Sequence, residues 1–341
     1  MRPSAGVTQP AFAETLRRSA EDGLLAGLPS NMDLSSISVK LEGTGESYAV
    51  WSLTDGQRAY MLRIPLRPLD EMPHPMEREF QVASHISPSV GPRALYFEPD
   101  PGNPLGAPYI ISEFTPGRTK RERQWAADDF DALVPVIVRL HSGPSWDLDG
   151  GDEDVNLLEG FRAARLWWQN NDPQTADSER VASLGDRVER FIESNEWACE
   201  GAHACPIHSD LCATNIVFDN QGHPRLIDWE WAENGDPAKD LAYVGGEAYC
   251  DPWYVPMSRA EVKRFVRNYA TQMRPELSSD EVEREYERLL ARRDSWEAWE
   301  RYTMGLHCLR RGREENDGFY LNAGEQMHQR LQALLDRDEA A

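Results

Sequence analysis

The sequence predicts an α+β chain in two parts. A small antiparallel β-sheet with one helix occupies residues 36–112, and a larger, mostly helical part occupies 118–341. Three observations predict this. Between Ile37 and Ser112 apolar residues recur at a period of two in short runs separated by turn residues. After residue 118 the apolar spacing is helical almost throughout. The exception is His208 to Glu230, where two short apolar runs flank a turn and gather three polar side chains.

In chain order, residues 1–35 read as a helical extension. Phe12, Leu16, Leu24 and Leu25 lie among charges, and Gly27 and Pro29 end the pattern. Ile37, Val39 and Leu41 begin the first strand. Gly43-Thr44-Gly45 interrupts, Tyr48 to Leu53 resumes, Thr54-Asp55-Gly56-Gln57 turns, and Ala59 to Ile64 is the third strand. A turn carrying Gly43 and Gly45 can lay backbone N–H groups over phosphates, since glycine permits close approach. The pattern is half of G-x-G-x-x-G, with Tyr48 in the last position. A helix around Met76 to Ala83 stops at Ser87-Pro88. Leu95 to Phe97 and Tyr109 to Ser112 are two further strands. Glu113 to Gly117 (113–117) is the expected hinge, where a ligand cleft would form. Helices are expected near 125–142, 157–171 and 177–198, with three or four more over about 258–337.

The totals narrow the function classes. The chain has 341 residues and 40% hydrophobic content, enough for packed cores and for more than one domain. No apolar run reaches the ~18 residues of a membrane span, and Met1-Arg2-Pro3-Ser4 lacks an apolar signal core. Five cysteines at irregular spacing argue for a reducing compartment, so a cytoplasmic location is expected. The net charge of −22 disfavours nucleic acid and anionic membranes as partners. Of the 36 basic residues only Lys40, Lys120, Lys239 and Lys263 are lysines. Dense carboxylates with little lysine suggest adaptation to high salt.

The chemistry concentrates at 208–230. Moving the γ-phosphoryl of ATP needs hard oxygen ligands for magnesium, a cation on the phosphates, a carboxylate near the acceptor hydroxyl and a cover that excludes water. The spacing His-x-Asp-x-x-x-x-Asn supplies Asp210 for the hydroxyl and Asn215 as a metal ligand, in a catalytic loop 208–215. Ile216-Val217-Phe218 and Arg225-Leu226-Ile227 read as a hairpin around Asp219 to Gly222. It returns the chain to Asp228, the main metal ligand of a loop 228–230, and His208 braces the loop. Cys199, His203, Cys205 and His208 could be read as a zinc set, but their spacing fits no common finger. Trp229, Glu230, Trp231 and Glu233, with Trp253, Tyr254, Trp296 and Trp299 later, combine aromatics and carboxylates that could cage a cationic substrate.

The run Ile207-His208-Ser209-Asp210, Asn215-Ile216-Val217, Leu226-Ile227-Asp228-Trp229-Glu230 and Gly235-Asp236-Pro237-Ala238-Lys239-Asp240-Leu241-Ala242 resembles the aminoglycoside phosphotransferase / choline kinase superfamily. These are small-molecule kinases with a protein-kinase-like two-lobed fold. The resemblance covers about 36–312 and is strongest over 206–245. It implies ATP and Mg2+ as cofactors, Asp210 as catalytic base, and Asn215 and Asp228 as metal ligands. It also implies Asp240 as a structural support and Glu113, Phe114 and Thr115 as the adenine-binding hinge. The strand-three cation falls on Arg63, where protein kinases carry lysine, and its expected helix partner is Glu79 rather than Glu77. Arginine keeps its charge and binds phosphate as a fixed fork. About 95 residues separate Glu113 from His208, and no Ala-Pro-Glu segment follows Asp228. Both points favour a small-molecule hydroxyl acceptor, an amino sugar or amino alcohol, over a protein. A catalytically silent nucleotide-binding pseudokinase and a protein kinase are the alternatives.

Overall fold

The computed structural model describes residues 6–148 and 155–339, so the reading of Met1 to Ser4 lies outside the described residues. The chain divides into two compact units, Met1–Gly117 with Arg225–Ala232, and Arg118–Pro224 with Glu233–Ala341.

The first unit is built on a five-stranded antiparallel sheet. Its strands are β1 (Ser38–Thr44), β2 (Tyr48–Thr54), β3 (Ala59–Pro65), β4 (Ala94–Glu98) and β5 (Tyr109–Glu113), in the order β1-β2-β3-β5-β4. On β3, Leu62 and Ile64 are fully buried while Arg63 between them faces the other way, the alternation that a pleated strand imposes. The helix α1 (Pro10–Glu21) starts on a proline, whose missing N–H is no loss in the first turn. Gly23 past its end adopts φ 67. Phe12 and Leu16 of α1 join Trp51, Leu53, Leu62 and Ile111 in one core, and the Trp51 indole N–H donates to Val7 O at 3.1 Å. The N-terminal extension is thus part of the sheet's own core, each buried apolar side chain contributing about 1.5–3 kcal/mol. The helix α2 (Met76–Ser84) turns Glu79, Val82 and Ala83 inward.

One expectation is corrected here. The sequence places the loop 228–230 with the helical part, but residues 225–232 pack into the first unit. Leu226 N–H donates to Val90 O at 2.8 Å, and Trp229 is 3% exposed. Gly91 lies so close that a Cβ there would fall 2.3 Å from Leu226 O. Backbone pairing and an indole in the core fix the segment, which is more than local helical period can reveal.

The second unit is helical: α3 (Ala127–His141), α4 (Leu157–Asn171), α5 (Pro173–Ala176), α6 (Glu179–Ser194), α7 (Pro237–Val244), α8 (Arg259–Met273), α9 (Ser279–Glu315) and α10 (Gly318–Glu339). The last three fill the stretch where three or four helices were expected. Short strands β6 (Arg118–Thr119), β7 (Cys205–Ile207), β8 (Ile216–Phe218), β9 (Pro224–Leu226) and β10 (Glu233–Gly235) interrupt them. β6 pairs with β8 and β7 with β10, both antiparallel. The turn between β8 and β9 closes through Asp219 N–H on His223 O at 3.1 Å, and the chain passes into the first unit within β9.

The 37-residue α9 opens with a capping box between Ser278 and Glu281. Its charged residues are not all solvated. Arg293, Glu297 and Arg301 are at most 1% exposed. Arg293 pairs with Glu297 and donates to Gly245 O. Glu297 accepts Ala248 N–H at 2.8 Å, and Arg301 donates to Ala248 O and Ala242 O at 2.8 and 2.9 Å. These bonds satisfy backbone groups that would otherwise be buried unpaired, and so tie the end of α7 to α9.

Candidate functional site

The first unit gathers charge around Arg63. Its Nη1 lies 2.8 Å from Glu79 Oε1 and its Nη2 2.6 Å from Asp228 Oδ1. The guanidinium sits 4.3 Å from the centre of the Tyr48 ring. Burial pulls the Arg63 pKa down, but Asp228 and Glu79 outweigh it and hold the pKa above its ordinary value. Burial raises the Glu79 carboxyl, against the pull of Arg63. Asp228 adopts φ 71, a left-handed conformation that aspartate tolerates better than most residues. Glu230 stands two positions on. Burial first, then the Asp228 charge, push its carboxyl up to about 7, while the Ser47 side chain bonds to it.

The other first-unit residues singled out from the sequence fall as follows. Gly43 and Gly45 are exposed, but β1 runs through Gly43, which pairs with Val50, so the expected interruption there is absent; only Gly45 lies in the β1–β2 turn, where its N–H donates to Tyr48 O at 2.9 Å. Neither carries a positive φ. A Cβ on Gly43 would meet nothing within 4 Å. Glu113 ends β5 and pairs with Arg93 at 3.1 Å, Phe114 is exposed, and Thr115 is half-buried. Trp229 is core, and Trp231 is exposed with its ring edge-on to His74.

The second unit forms the loop 208–215. β7 and β10 pair beside it. Asp240 of α7, fully buried, accepts the N–H groups of both His208 and Ser209 at 2.8 Å and His141 Nε2 at 3.0 Å. His141 is held in turn by the Tyr269 hydroxyl at 2.8 Å. Burial raises the Asp240 carboxyl, but the bond and charge of His141, with His208, more than offset it and leave the pKa lowered. Ser209 is left-handed at φ 63, and its hydroxyl donates to Glu233 Oε1 at 2.7 Å. Asn215 Nδ2 donates to Asp210 O at 2.9 Å and to Asp210 Oδ2 at 2.8 Å. Asp210 is only partly buried, whereas His208 is fully buried. No three His, Cys, Asp or Glu side chains form a metal-holding group among the described residues, so Cys199, His203, Cys205 and His208 are not brought together as a zinc set.

A family model described as the phosphotransferase enzyme family (APH) matches residues 39–300, well over half of the chain. The chain belongs to the phosphotransferase enzyme family. Thiamine kinase of Shigella boydii is 26% identical over 218 residues, 63% of this chain and 65% of that protein. The chain therefore spans slightly under two thirds of that relative's length. Choline kinase of Cryptosporidium parvum Iowa II has a TM-score of 0.64 at 16% identity, covering 95% of this chain and 97% of that one. A thermostable mutant of aminoglycoside phosphotransferase APH(4)-Ia, in ternary complex with AMP-PNP and hygromycin B, has a TM-score of 0.56 at 15% identity, covering 94% and 99%. At these identities the likeness is one of fold, and the expected protein-kinase-like fold is the one observed.

In this member of the phosphotransferase family several residues beside the site carry no sequence signal of their own. His141 closes α3 as any helix-terminal histidine would. Tyr269 lies mid-helix in α8. The hydroxyls of Ser47 and Ser209 sit in loops where serine is common. Only Ser209 was findable, because it lies inside the His-x-Asp motif.

Proposed function

We propose that the chain is an ATP- and magnesium-dependent phosphotransferase that moves the γ-phosphoryl group to a hydroxyl of a small molecule. The Asp210–Asn215 side-chain bond at 2.8 Å, on a loop whose backbone is held by buried Asp240, carries this reading. It orients a carboxylate that faces solvent in part. In the reaction the acceptor oxygen bonds to the γ-phosphorus as the bond to the bridging β–γ oxygen breaks. Asp210 orients the hydroxyl and takes its proton. Arg63 steadies the phosphates, Glu79 steadies Arg63, and the end of the β1–β2 hairpin that carries Gly43 and Gly45 covers them. Glu113, Phe114 and Thr115 hold the adenine.

The donor chemistry suits magnesium. Asp228 uses Oδ1 on Arg63 and Asn215 uses Nδ2 on Asp210. Asp228 Oδ2 and Asn215 Oδ1 are hard oxygen donors of the kind magnesium takes along with phosphate oxygens and water. When bound, the ion neutralises charge on the phosphates being transferred. His208 and Asp240 hold the loop. Of Trp229, Glu230, Trp231 and Glu233, Glu233 is favoured for the acceptor, because Ser209 ties it to the residue before Asp210.

The test is coupled ADP release across amino alcohols, aminoglycosides, sugars and nucleosides, repeated with Asp210→Ala. At least one acceptor should be consumed, and Asp210→Ala should lose turnover by about 10²–10⁴-fold while still binding nucleotide. Turnover at the wild-type rate in Asp210→Ala refutes the assignment.

A further inference from the structure

Lys239 lies on α7, one position before Asp240. Its Nζ is 2.7 Å from Glu233 Oε1, 5.1 Å from the centre of a Trp296 ring and 5.9 Å from that of Tyr243. A carboxylate and two aromatic faces around one ammonium is the arrangement by which proteins recognise amine cations. The walls are fixed. The Trp296 indole N–H donates to Asp236 Oδ2 at 2.9 Å, and its ring stacks on Trp299 at 4.6 Å. The Tyr243 hydroxyl donates to Glu300 Oε2 at 2.6 Å. The cage adjoins the catalytic loop, because the oxygen of Glu233 that holds Lys239 also accepts the Ser209 hydroxyl. The charges of both Glu233 and Asp210 are felt at Tyr243.

The composition adds an independent point. The chain uses arginine almost wherever a cation is needed and has only four lysines among 36 basic residues. At 239 it instead presents a compact ammonium on a flexible stem, where arginine would present a planar fork.

We infer that Lys239 is a tethered cation that fills this cage, so that the acceptor brought to Asp210 is an uncharged polyhydroxyl compound and not a quaternary or primary amine. This rests on the phosphotransferase reading for the word acceptor, but the occupancy of the cage does not. The tether makes the case physical. A side chain one short linker away presents its ammonium at an effective concentration in the millimolar range or above. A cation from solution, which also loses translational freedom on binding, must outcompete it. An acceptor with its own cation would also bring a second positive charge to a place already neutralised by the first.

The experiment is titration calorimetry of tetramethylammonium against the full chain without nucleotide, for wild type, Lys239→Ala, Lys239→Ser and the double variant Lys239→Ala/Trp296→Ala. Wild type should bind weakly or undetectably. Lys239→Ala, which empties the cage, should bind at least ~tenfold more tightly, and the double variant should lose the gain. Lys239→Ser, which also removes the stem, gives the same reading if Lys239→Ala does not fold. Wild type binding as tightly as the folded single variants, or no gain in either, overturns the inference. Because no turnover is measured, a chain that consumes no acceptor in the ADP-release screen fails the phosphotransferase reading without touching this result. If turnover is found, wild type preferring an amine acceptor to sugars and polyols also overturns the inference.

Discussion

Arg63 and Asp228 lie 165 positions apart in the chain and meet at 2.6 Å. The same guanidinium holds Glu79 with its other terminal nitrogen. Lysine offers a point charge without the fork and cannot serve both carboxylates with this geometry. Arg63→Lys should therefore raise the KM for ATP about tenfold or more, with a smaller loss in kcat. Arg63→Ala leaves Glu79, 4% exposed, without its cation and with only the Tyr48 hydroxyl beside it, at a cost of about 3–5 kcal/mol. Urea denaturation measures this, and a loss below about 1 kcal/mol would mean that the pair does not support the unit.

Asp240→Asn removes one of two carboxylate acceptors and turns an amide N–H toward the backbone N–H groups of the loop. One buried donor is left unsatisfied, at about 1–3 kcal/mol. The melting temperature should fall. Because the loop carries Asp210, kcat should fall more than the KM for ATP changes. Equal effects on both, with stability unchanged, would count against a bracing role.

The buried histidine His328 sets a stability window. Its Nε2 lies 3.0 Å from Tyr302 O. Burial first lowers its pKa, the Tyr302 carbonyl and Glu325 raise it, and Arg180 lowers it. The unfolded chain, with a histidine pKa near 6.5, then takes up protons more readily than the folded one. The contribution is complete above about pH 6.5 and is lost as pH falls through the lowered folded value. Melting temperature should drop from pH 7 to pH 5, and His328→Gln should flatten that drop. An unchanged slope in the variant removes His328 from the account.

The net charge of −22 makes a salt prediction. Self-repulsion among carboxylates weakens as ions screen it. The melting temperature should climb as salt is raised toward molar concentration. A flat or falling curve would end the reading of the composition as a salt adaptation.

Much of the frame was legible in the sequence, for identifiable reasons. β2 and β3 alternate cleanly because one face packs into a core, and α4 matches its expected limits because Asn156 caps it. The loop 208–215 stands out in the sequence because the proposed chemistry demands its spacing. What the local sequence pattern hides is held by long-range pairing. β7 and β10 are three residues each, too short to show a period. Arg293, Glu297 and Arg301 look like a solvated helix face, yet they are buried against backbone groups of the loop after α7. Lys239 looks like one charge in a motif, and only the positions of Glu233, Trp296 and Tyr243 give it a meaning.

Residues 225–232 complete the first unit from far down the chain. On a ribosome, the sheet that is made first is therefore finished late. A nascent chain that has released residues up to Gly117 already presents Arg63 and Glu79, but it must wait for more than a hundred further residues before Asp228 arrives. Until then one arm of the guanidinium has no carboxylate and Val90 O has no Leu226 N–H. For the same reason a fragment cut at Gly117 is not a smaller version of the unit but an unfinished one, and it should need the 225–232 peptide supplied in trans to reach the native sheet's stability.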